Sequence, residues 1–362
     1  MAKNNANSIA VTASEKECLV SQATAASGTV SFQVTNSGSE STEFYILADD
    51  GLRIVGEVEN IGPGLKRDLV IEALPGTYYT VCKPGMVGTG IGNAVFTVTD
   101  SGNRPNYSED VEKLVDNAIA NYAAYVRNQT DALLAGTKEF AEAYETGDFA
   151  KARSLYAKTR MHWERIETAA ESFGDLDPSM DAREADLEPG TAWTGWHAIE
   201  KDLWPEDAEA GFKNYSSAKR IALAEKLVAD TTTLRDRTKT MEFTLSQLTN
   251  GAIGLLDEVA TGKVTGEEEI WSHTDLWDFK ANVEGAQVLF DNVKQILVAK
   301  DPELAERIDT EFEAMNLLLA QYREGAGYVT YDELTKQQVR ELSDQVNALA
   351  EPLNLLTAAI LK

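Results

Sequence analysis

The first hundred residues show the pattern of short β-strands. Runs such as "GTVSFQVTN", "STEFYILAD" and "GNAVFTVTD" are rich in Val, Ile, Thr, Tyr and Phe, and residues that favour turns separate them. Their spacing is about that of an all-β sandwich. The sequence therefore predicts an all-β sandwich over residues 1–100.

The pattern changes after a short polar segment at residues 101–107, which contains one proline and which we interpret as a linker. From 108 to 362 the apolar residues recur at spacings of three and four, as in the stripe from Phe149 to Phe173 and the stripe from Leu276 to Leu297. Such stripes are typical of helices that pack into a bundle. We therefore predict two domains, an all-β sandwich followed by an all-α helix bundle.

The net charge of the chain restricts the classes of partner that it can bind. Its 362 residues carry a formal net charge of −26. A field of this sign repels nucleic acid and anionic membranes and attracts cations or basic partners, although acidity also serves solubility alone. No run approaches the roughly 20 apolar residues that cross a bilayer. The start "MAKNNANSIAVTAS" lacks a secretory signal, which taken alone predicts a cytoplasmic protein.

One stretch, "GWHAIEKDLW", places His197 and Glu200 three residues apart on a predicted helix that Thr194 caps and that ends before Pro205. This spacing sets an imidazole and a carboxylate side by side, as helix bundles present ligands to iron. A hydrogen-bonded pair at the edge of the core is the alternative. The stretch is our first candidate for a metal site.

Other carboxylates can be ranked by their angle from the apolar stripes. Glu167 lies about 60° from the centre of its stripe, whereas Glu164 lies further toward solvent, where a surface ion pair with Arg160 explains it. Asp275 falls near the second stripe, where it either binds metal or belongs to a helix start capped by Ser272. Asp278 is expected to point away.

The acidic loop "FGDLDPSMDAREADLE" lies between these helices, so one of its carboxylates can reach a shared site.

Several standard sites are absent from the sequence, which has no HExxH, GxSxG or phosphate-loop motif. The two cysteines, Cys18 and Cys82, either form a disulfide, bind metal as thiolates or pack unpaired in the core. All three histidines lie after residue 107, so a blue-copper site in the β domain is excluded.

Several motifs together resemble a known family, the EfeO-type periplasmic iron-uptake proteins, over nearly the whole chain. They are "KEC" at 16–18, "ENIGPG" at 59–64, "HWERIE" at 162–167, "DLDPSMDARE" at 175–184, "GWHAIEKDLW" at 195–204 and "SHTDLWDFKANVEG" at 272–285. The resemblance implies a cupredoxin-like β domain and an imelysin-like helical domain. It also implies that His197 and Glu200 are metal ligands, and that Glu167, Glu164 and Asp181 belong to the same site.

The resemblance further implies a second metal site in the β domain, formed by Cys18, Cys82 and Glu43. The implied function is periplasmic iron binding, with delivery of Fe²⁺ or Fe³⁺ to an inner-membrane permease and a haem peroxidase as companion. Zinc, manganese and copper are other candidate metals. Family members are exported, so we interpret the missing signal as removed. The alternatives are a metallopeptidase of the imelysin type, and an interaction module that binds no metal.

Overall fold

The computed structural model describes residues 8–86, 88–102, 109–187 and 190–361. The predicted linker at 101–107 therefore lies largely outside the described residues. Strands occupy the described part of the chain before it and helices most of the part after it, so the predicted two-domain layout is confirmed.

The β domain consists of two sheets that face each other across an apolar core. In the first sheet the strand order is β2-β1-β4-β7, and in the second it is β3-β9-β8-β5-β6. The described strands are β1 (Ser8–Ala13), β2 (Cys18–Val20), β3 (Thr24–Ala26), β4 (Gly28–Asn36), β5 (Thr42–Leu47), β6 (Ile54–Ile61), β7 (Lys66–Ala73), β8 (Gly76–Pro84) and β9 (Ile91–Thr99). Alternate residues of β1 and β4 are buried, as the two-residue period predicts. The domain fits a cupredoxin-like sandwich.

Cys18 and Cys82 form a disulfide between the two sheets, with their Cα atoms 5.5 Å apart. Cys82 lies opposite Phe44 in the β5–β8 register, and both residues are buried in the core between the sheets. Glu43 precedes Phe44 on the strand, so its side chain points to the other face of the sheet. The prediction of a shared metal site for Cys18, Cys82 and Glu43 is therefore wrong, because the sulphurs are bonded and the carboxylate faces away from them.

The second domain is a bundle around the long first helix, which packs against α2, α6 and α8. Its described elements are α1 (Glu109–Thr146), α2 (Phe149–Glu164), α3 (Glu167–Glu171), α4 (Asp177–Met180), α5 (Trp196–Leu203), α6 (Ser217–Thr238), α7 (Leu245–Thr261), α8 (Asp275–Lys300), α9 (Pro302–Ala320), β10 (Arg323–Glu324), β11 (Gly327–Tyr328), α10 (Lys336–Leu353) and α11 (Leu356–Leu361). Within the described ranges, no helix combines the length and the apolar character that a membrane span requires.

The stripe from Phe149 to Phe173 does not lie on one helix. The helix ends at Glu164, and a new one begins at Glu167. Helix α8 packs directly on this break, where a Cβ added at Gly285 would lie 2.3 Å from the carbonyl oxygen of Arg165. Asn282, also on α8, donates from Nδ2 to the carbonyl oxygen of Glu164 at 2.8 Å. The break therefore replaces a lost helical hydrogen bond with one from a neighbouring helix.

The two domains touch through hydrogen bonds to backbone carbonyl oxygens. The amide of Ile54 in β6 donates to the carbonyl oxygen of Ser172 at 3.0 Å. Asn250 in α7 donates from Nδ2 to the carbonyl oxygen of Val70 at 2.9 Å. Between the domains lies a cleft of about 1440 Å³ whose lining includes Glu57 and Glu258.

Candidate metal centre

Helix α5 carries the His–Glu pair and is buried along its whole length. Its N-cap is Gly195, with a φ of 86° that favours glycine. A Cβ added there would lie 2.1 Å from the carbonyl oxygen of Met180, so the chain passes very close to the end of α4. Thr194 does not cap the helix as predicted, because its hydroxyl donates to the carbonyl oxygen of Ser179.

His197 and Glu200 lie side by side, with 3.2 Å between Nδ1 and Oε2, and both are fully buried. The other oxygen of Glu200 accepts hydrogen bonds from the backbone amides of Trp271, at 3.1 Å, and Ser272, at 2.7 Å. The segment that precedes α8 therefore holds the carboxylate in place. The two side chains lie side by side, as the spacing predicts for a pair of metal ligands. They are also hydrogen-bonded to each other, as the alternative interpretation expects.

The second ring nitrogen of His197 faces two more carboxylates. Nε2 lies 3.4 Å from Asp181 Oδ1 and 3.5 Å from Glu268 Oε1, and it has no hydrogen-bond partner among the described residues. One ligand atom each from Asp181, His197 and Glu268 lies within 4.8 Å of the others, and the same is true of His197, Glu200 and Glu269. The imidazole therefore stands between two groups of oxygens that can share an ion with it.

Arg160 lies in the middle of these carboxylates and is fully buried. Its guanidinium contacts Glu164 at 2.5 Å and Asp181, and its Nε lies 2.6 Å from Glu269 Oε1 without the angle of a hydrogen bond. The predicted surface ion pair between Arg160 and Glu164 is therefore wrong in one respect. The pair exists, but both side chains have no exposed surface.

Lys263, from the short 3₁₀ segment Lys263–Thr265, enters the cluster from the other side. Its Nζ donates to Glu164 Oε2 at 2.6 Å and to both oxygens of Glu167 at 2.7 Å. Asn282 donates to the same Glu167 carboxylate at 2.7 Å. Glu164 and Glu167, three residues apart across the break between α2 and α3, therefore converge on one ammonium group.

Asp275 and Asp278 complete the cluster from the first turn of α8, and neither has exposed surface. Asp275 accepts a hydrogen bond from the backbone amide of Glu269 at 3.1 Å, which ties the acidic segment to the helix start. The N-cap is Thr274 and not Ser272, whose hydroxyl donates to Glu269. The expectation that Asp278 points away is wrong, because α8 is covered by other elements on that side.

Carboxyl groups outnumber basic groups in this buried cluster by eight to three. The carboxyl groups belong to Glu164, Glu167, Asp181, Glu200, Glu268, Glu269, Asp275 and Asp278, and the basic groups to Arg160, Lys263 and His197. Uncompensated buried charge is very unfavourable, so such a cluster either takes up protons or binds a cation.

The acid side of the cluster holds protons more tightly than usual. Burial and the charge of Glu269 raise the pKa of Glu200 to about 7. Burial likewise raises the pKa of Asp275 to about 7, and together with the charge of Glu164 it raises the pKa of Glu167 well above 4.5. These shifts express the excess of negative charge.

The pKa of His197 shifts in the direction opposite to the one that burial alone would cause. Burial and the nearby Arg160 lower the pKa of His197, but the hydrogen bond with Glu200 and the nearby carboxylates of Glu268 and Glu269 outweigh them and raise it well above 6.5. Glu268 is also buried, yet Lys263 and His197 hold the pKa of its carboxyl below the usual range.

The structure brings together six side chains predicted from the sequence, those of His197, Glu200, Glu167, Glu164, Asp181 and Asp275. The predictions missed Glu268 and Glu269, which lie in "GEEEIWSH" outside any helix, so no helical period could rank them. The available signal was an acidic run directly before a buried aromatic residue, Trp271. Glu43 lies in the other domain, where the Tyr45 hydroxyl donates to it and Lys83 pairs with it at 3.6 Å.

Comparison with known proteins agrees with this architecture. The profile of the family described as imelysin matches residues 118–356. The protein named "Iron uptake system component EfeO" from Escherichia coli (strain K12) is 37% identical over 355 residues, which cover 97% of this chain and 91% of the relative. The proteins of the same name from Shigella flexneri and Shigella sonnei (strain Ss046) match equally well. The chain therefore belongs to the imelysin family and, over nearly its whole length, to the EfeO family.

Proposed function

We propose that this protein binds an iron ion in the carboxylate cluster around His197 and serves as the metal-binding component of an iron-uptake system. One observation carries the proposal. The Nε2 atom of His197 is buried without a hydrogen-bond partner among the described residues, and two carboxylate oxygens face it at 3.4 and 3.5 Å. A buried nitrogen in such a position is unfavourable unless something binds it.

The chemistry of the donors suits the proposed cargo. One imidazole with several carboxylates is a hard, oxygen-rich set that fits ferrous or ferric iron and also manganese or zinc. We assign His197 Nε2, Asp181 and Glu268 as ligands, with Glu200 at Nδ1 of the same ring and Glu269 on that side. The Glu164 and Glu167 carboxylates accept hydrogen bonds from Lys263 and neutralise its charge. We therefore place them beside the ion's site and not among its ligands.

The test is calorimetric titration of the full chain with ferrous iron under argon. We expect one ion to bind to the wild type and binding to be lost in His197→Ala/Glu200→Gln. The matched control is His162→Ala, because His162 is half-buried and bonded to Gln129 at 2.7 Å, outside the cluster. Circular dichroism checks that each variant is folded. Equal binding by the wild type and the double variant would place the iron elsewhere and overturn the proposal.

A periplasmic location is part of the same proposal. The Cys18–Cys82 disulfide supports it, because disulfides persist in oxidising compartments. The relatives' name, an iron uptake system component, supports a role beside other components. We propose an inner-membrane permease as the recipient of the iron and a haem peroxidase as a companion. Pull-down from a membrane extract with the iron-loaded protein, compared with the metal-free protein, tests the permease contact.

The metallopeptidase alternative fits this geometry less well. A peptidase needs an ion with an open coordination position and a base that a peptide can reach. Here His197 and Glu200 have no exposed surface, and the interdomain cleft is not lined by either residue. Hydrolysis of a peptide library that is lost in Glu200→Gln would favour the alternative.

A further inference from the structure

Asp278 stands out in the cluster because none of the described residues donates a hydrogen bond to it. It has no exposed surface, and among the described residues neither of its oxygens accepts a hydrogen bond. It forms an ion pair with Arg160, whose Nε lies 3.7 Å from Oδ1, beyond hydrogen-bond distance. A buried carboxylate without donors is unfavourable, so its position calls for an explanation.

Arg160 has the complementary property. Its guanidinium is fully buried and pairs with Asp181, Glu164, Glu268 and Glu269, yet its Nε has no hydrogen-bond partner in the part of the chain that the structure describes. Two of these partners, Asp181 and Glu268, form with His197 one group whose ligand atoms can share an ion. An ion bound there would compete with Arg160 for the same oxygens and would repel its positive charge.

The guanidinium therefore needs another acceptor when the ion arrives. We propose that Asp278 is this acceptor, a positioning residue that receives Arg160 when iron takes Asp181 and Glu268. A shift of about 1 Å brings Nε from 3.7 Å to hydrogen-bond distance of Asp278. Asp278 is absent from the ligand groups that include His197 among the described residues, so it acts through the arginine and not on the ion.

This inference rests on the proposed iron site, and a double-mutant cycle separates the two. Ferrous iron is titrated under argon into the full-length wild type, Asp278→Asn, Arg160→Gln and the double variant. We expect Asp278→Asn to weaken iron binding at least about tenfold. In the Arg160→Gln background the same change should alter binding less than twofold, because no guanidinium remains to be moved.

Other outcomes of the cycle decide against the proposal. An equal loss in both backgrounds would make Asp278 a ligand, and unchanged binding by Asp278→Asn would remove its role. Asp278→Glu keeps the charge and should restore part of the affinity, which a mere packing defect would not allow. If binding vanishes in His197→Ala/Glu200→Gln while Asp278→Asn binds normally, only this inference fails and the iron site stands.

A structural readout does not depend on the stability of the variants. In a crystal structure of the iron-loaded wild type, Arg160 Nε should lie within about 3.0 Å of an Asp278 oxygen. An ion bound beside His197 with Arg160 still at its present distance from Asp278 would overturn the proposal.

Discussion

Lys263 gives the sharpest test of the electrostatic account of the cluster. Its side chain has 1% exposed surface, and its ammonium makes hydrogen bonds of 2.6 and 2.7 Å to Glu164 and Glu167. Burial raises the pKa of each of these carboxyls, and the charge of Lys263 lowers it again. Lys263→Met keeps most of the side chain's bulk and removes the charge, which leaves Glu164 with Arg160 and leaves Glu167 beside it with the uncharged donor Asn282.

The size of the effect follows from proton uptake. The folded variant can relieve the repulsion by protonating one carboxyl, whereas in the unfolded chain that group keeps its ordinary pKa of 4.5. The free energy of this protonation is about 1.4 kcal/mol for each pH unit above 4.5. We therefore expect Lys263→Met to lower the free energy of unfolding by about 1–2 kcal/mol at pH 5.5. At pH 8 the loss should reach about 4–5 kcal/mol, as for other broken buried pairs.

The assay is urea unfolding of the metal-free protein, followed by circular dichroism at the helical signal, at both pH values. The matched control is Lys213→Met, since Lys213 is exposed. Adding Glu167→Gln to the Lys263→Met variant should recover part of the loss at pH 8, because it removes one of the two charges. A loss below about 1 kcal/mol at pH 8, or one that does not shrink in acid, would refute the reasoning.

Two further predictions concern α5. Gly195→Ala should weaken iron binding and lower the free energy of unfolding by more than about 1–2 kcal/mol, because the new Cβ would lie 2.1 Å from the Met180 carbonyl oxygen. The control is Gly190→Ala, which has a similar φ of 92° and nothing within 4 Å of the new Cβ, so it adds only the conformational strain. Equal effects of the two substitutions in iron titration and urea unfolding would refute the role of the close contact. Asp202→Asn should lower stability by about 2–3 kcal/mol at pH 7, because the buried carboxylate accepts two hydrogen bonds from Arg220. Burial alone would raise the pKa of Asp202, but the hydrogen bond with Arg220 lowers it below 3.8. The contribution of the Asp202 carboxylate to stability is therefore present above pH 3.8 and is lost as the pH falls further. A wild-type advantage over Asp202→Asn that stays constant between pH 5 and pH 3 would contradict this assignment.

The periodic part of the structure could be predicted from the sequence, and so could the pair on α5. Strand alternation and helical stripes report burial on one face, which is why the two-domain layout was correct. His197 and Glu200 followed from a local spacing of three, which survives whatever the rest of the chain does.

The remaining residues depend on contacts that no local period records. The angles assigned to Glu164 and Asp278 assumed helices with one buried face, but α2 and α8 are covered around the cluster on more than one side. The break after Glu164 depends on the close approach of Gly285. Glu268 lies outside any helix, so its position is set by tertiary packing alone.

The hydrogen bond from Ile54 to Ser172, together with the bridge between Arg53 and Phe173, has a practical consequence for dissecting the protein. Ser172 follows α3, the helix that begins with Glu167. A truncated chain that began after the β domain would leave the Ser172 carbonyl oxygen without its partner, directly behind one wall of the carboxylate cluster. Weak iron binding by such a fragment would therefore reflect the loss of this support as well as the intrinsic affinity of the helical domain. The affinity of the site has to be measured on the intact chain.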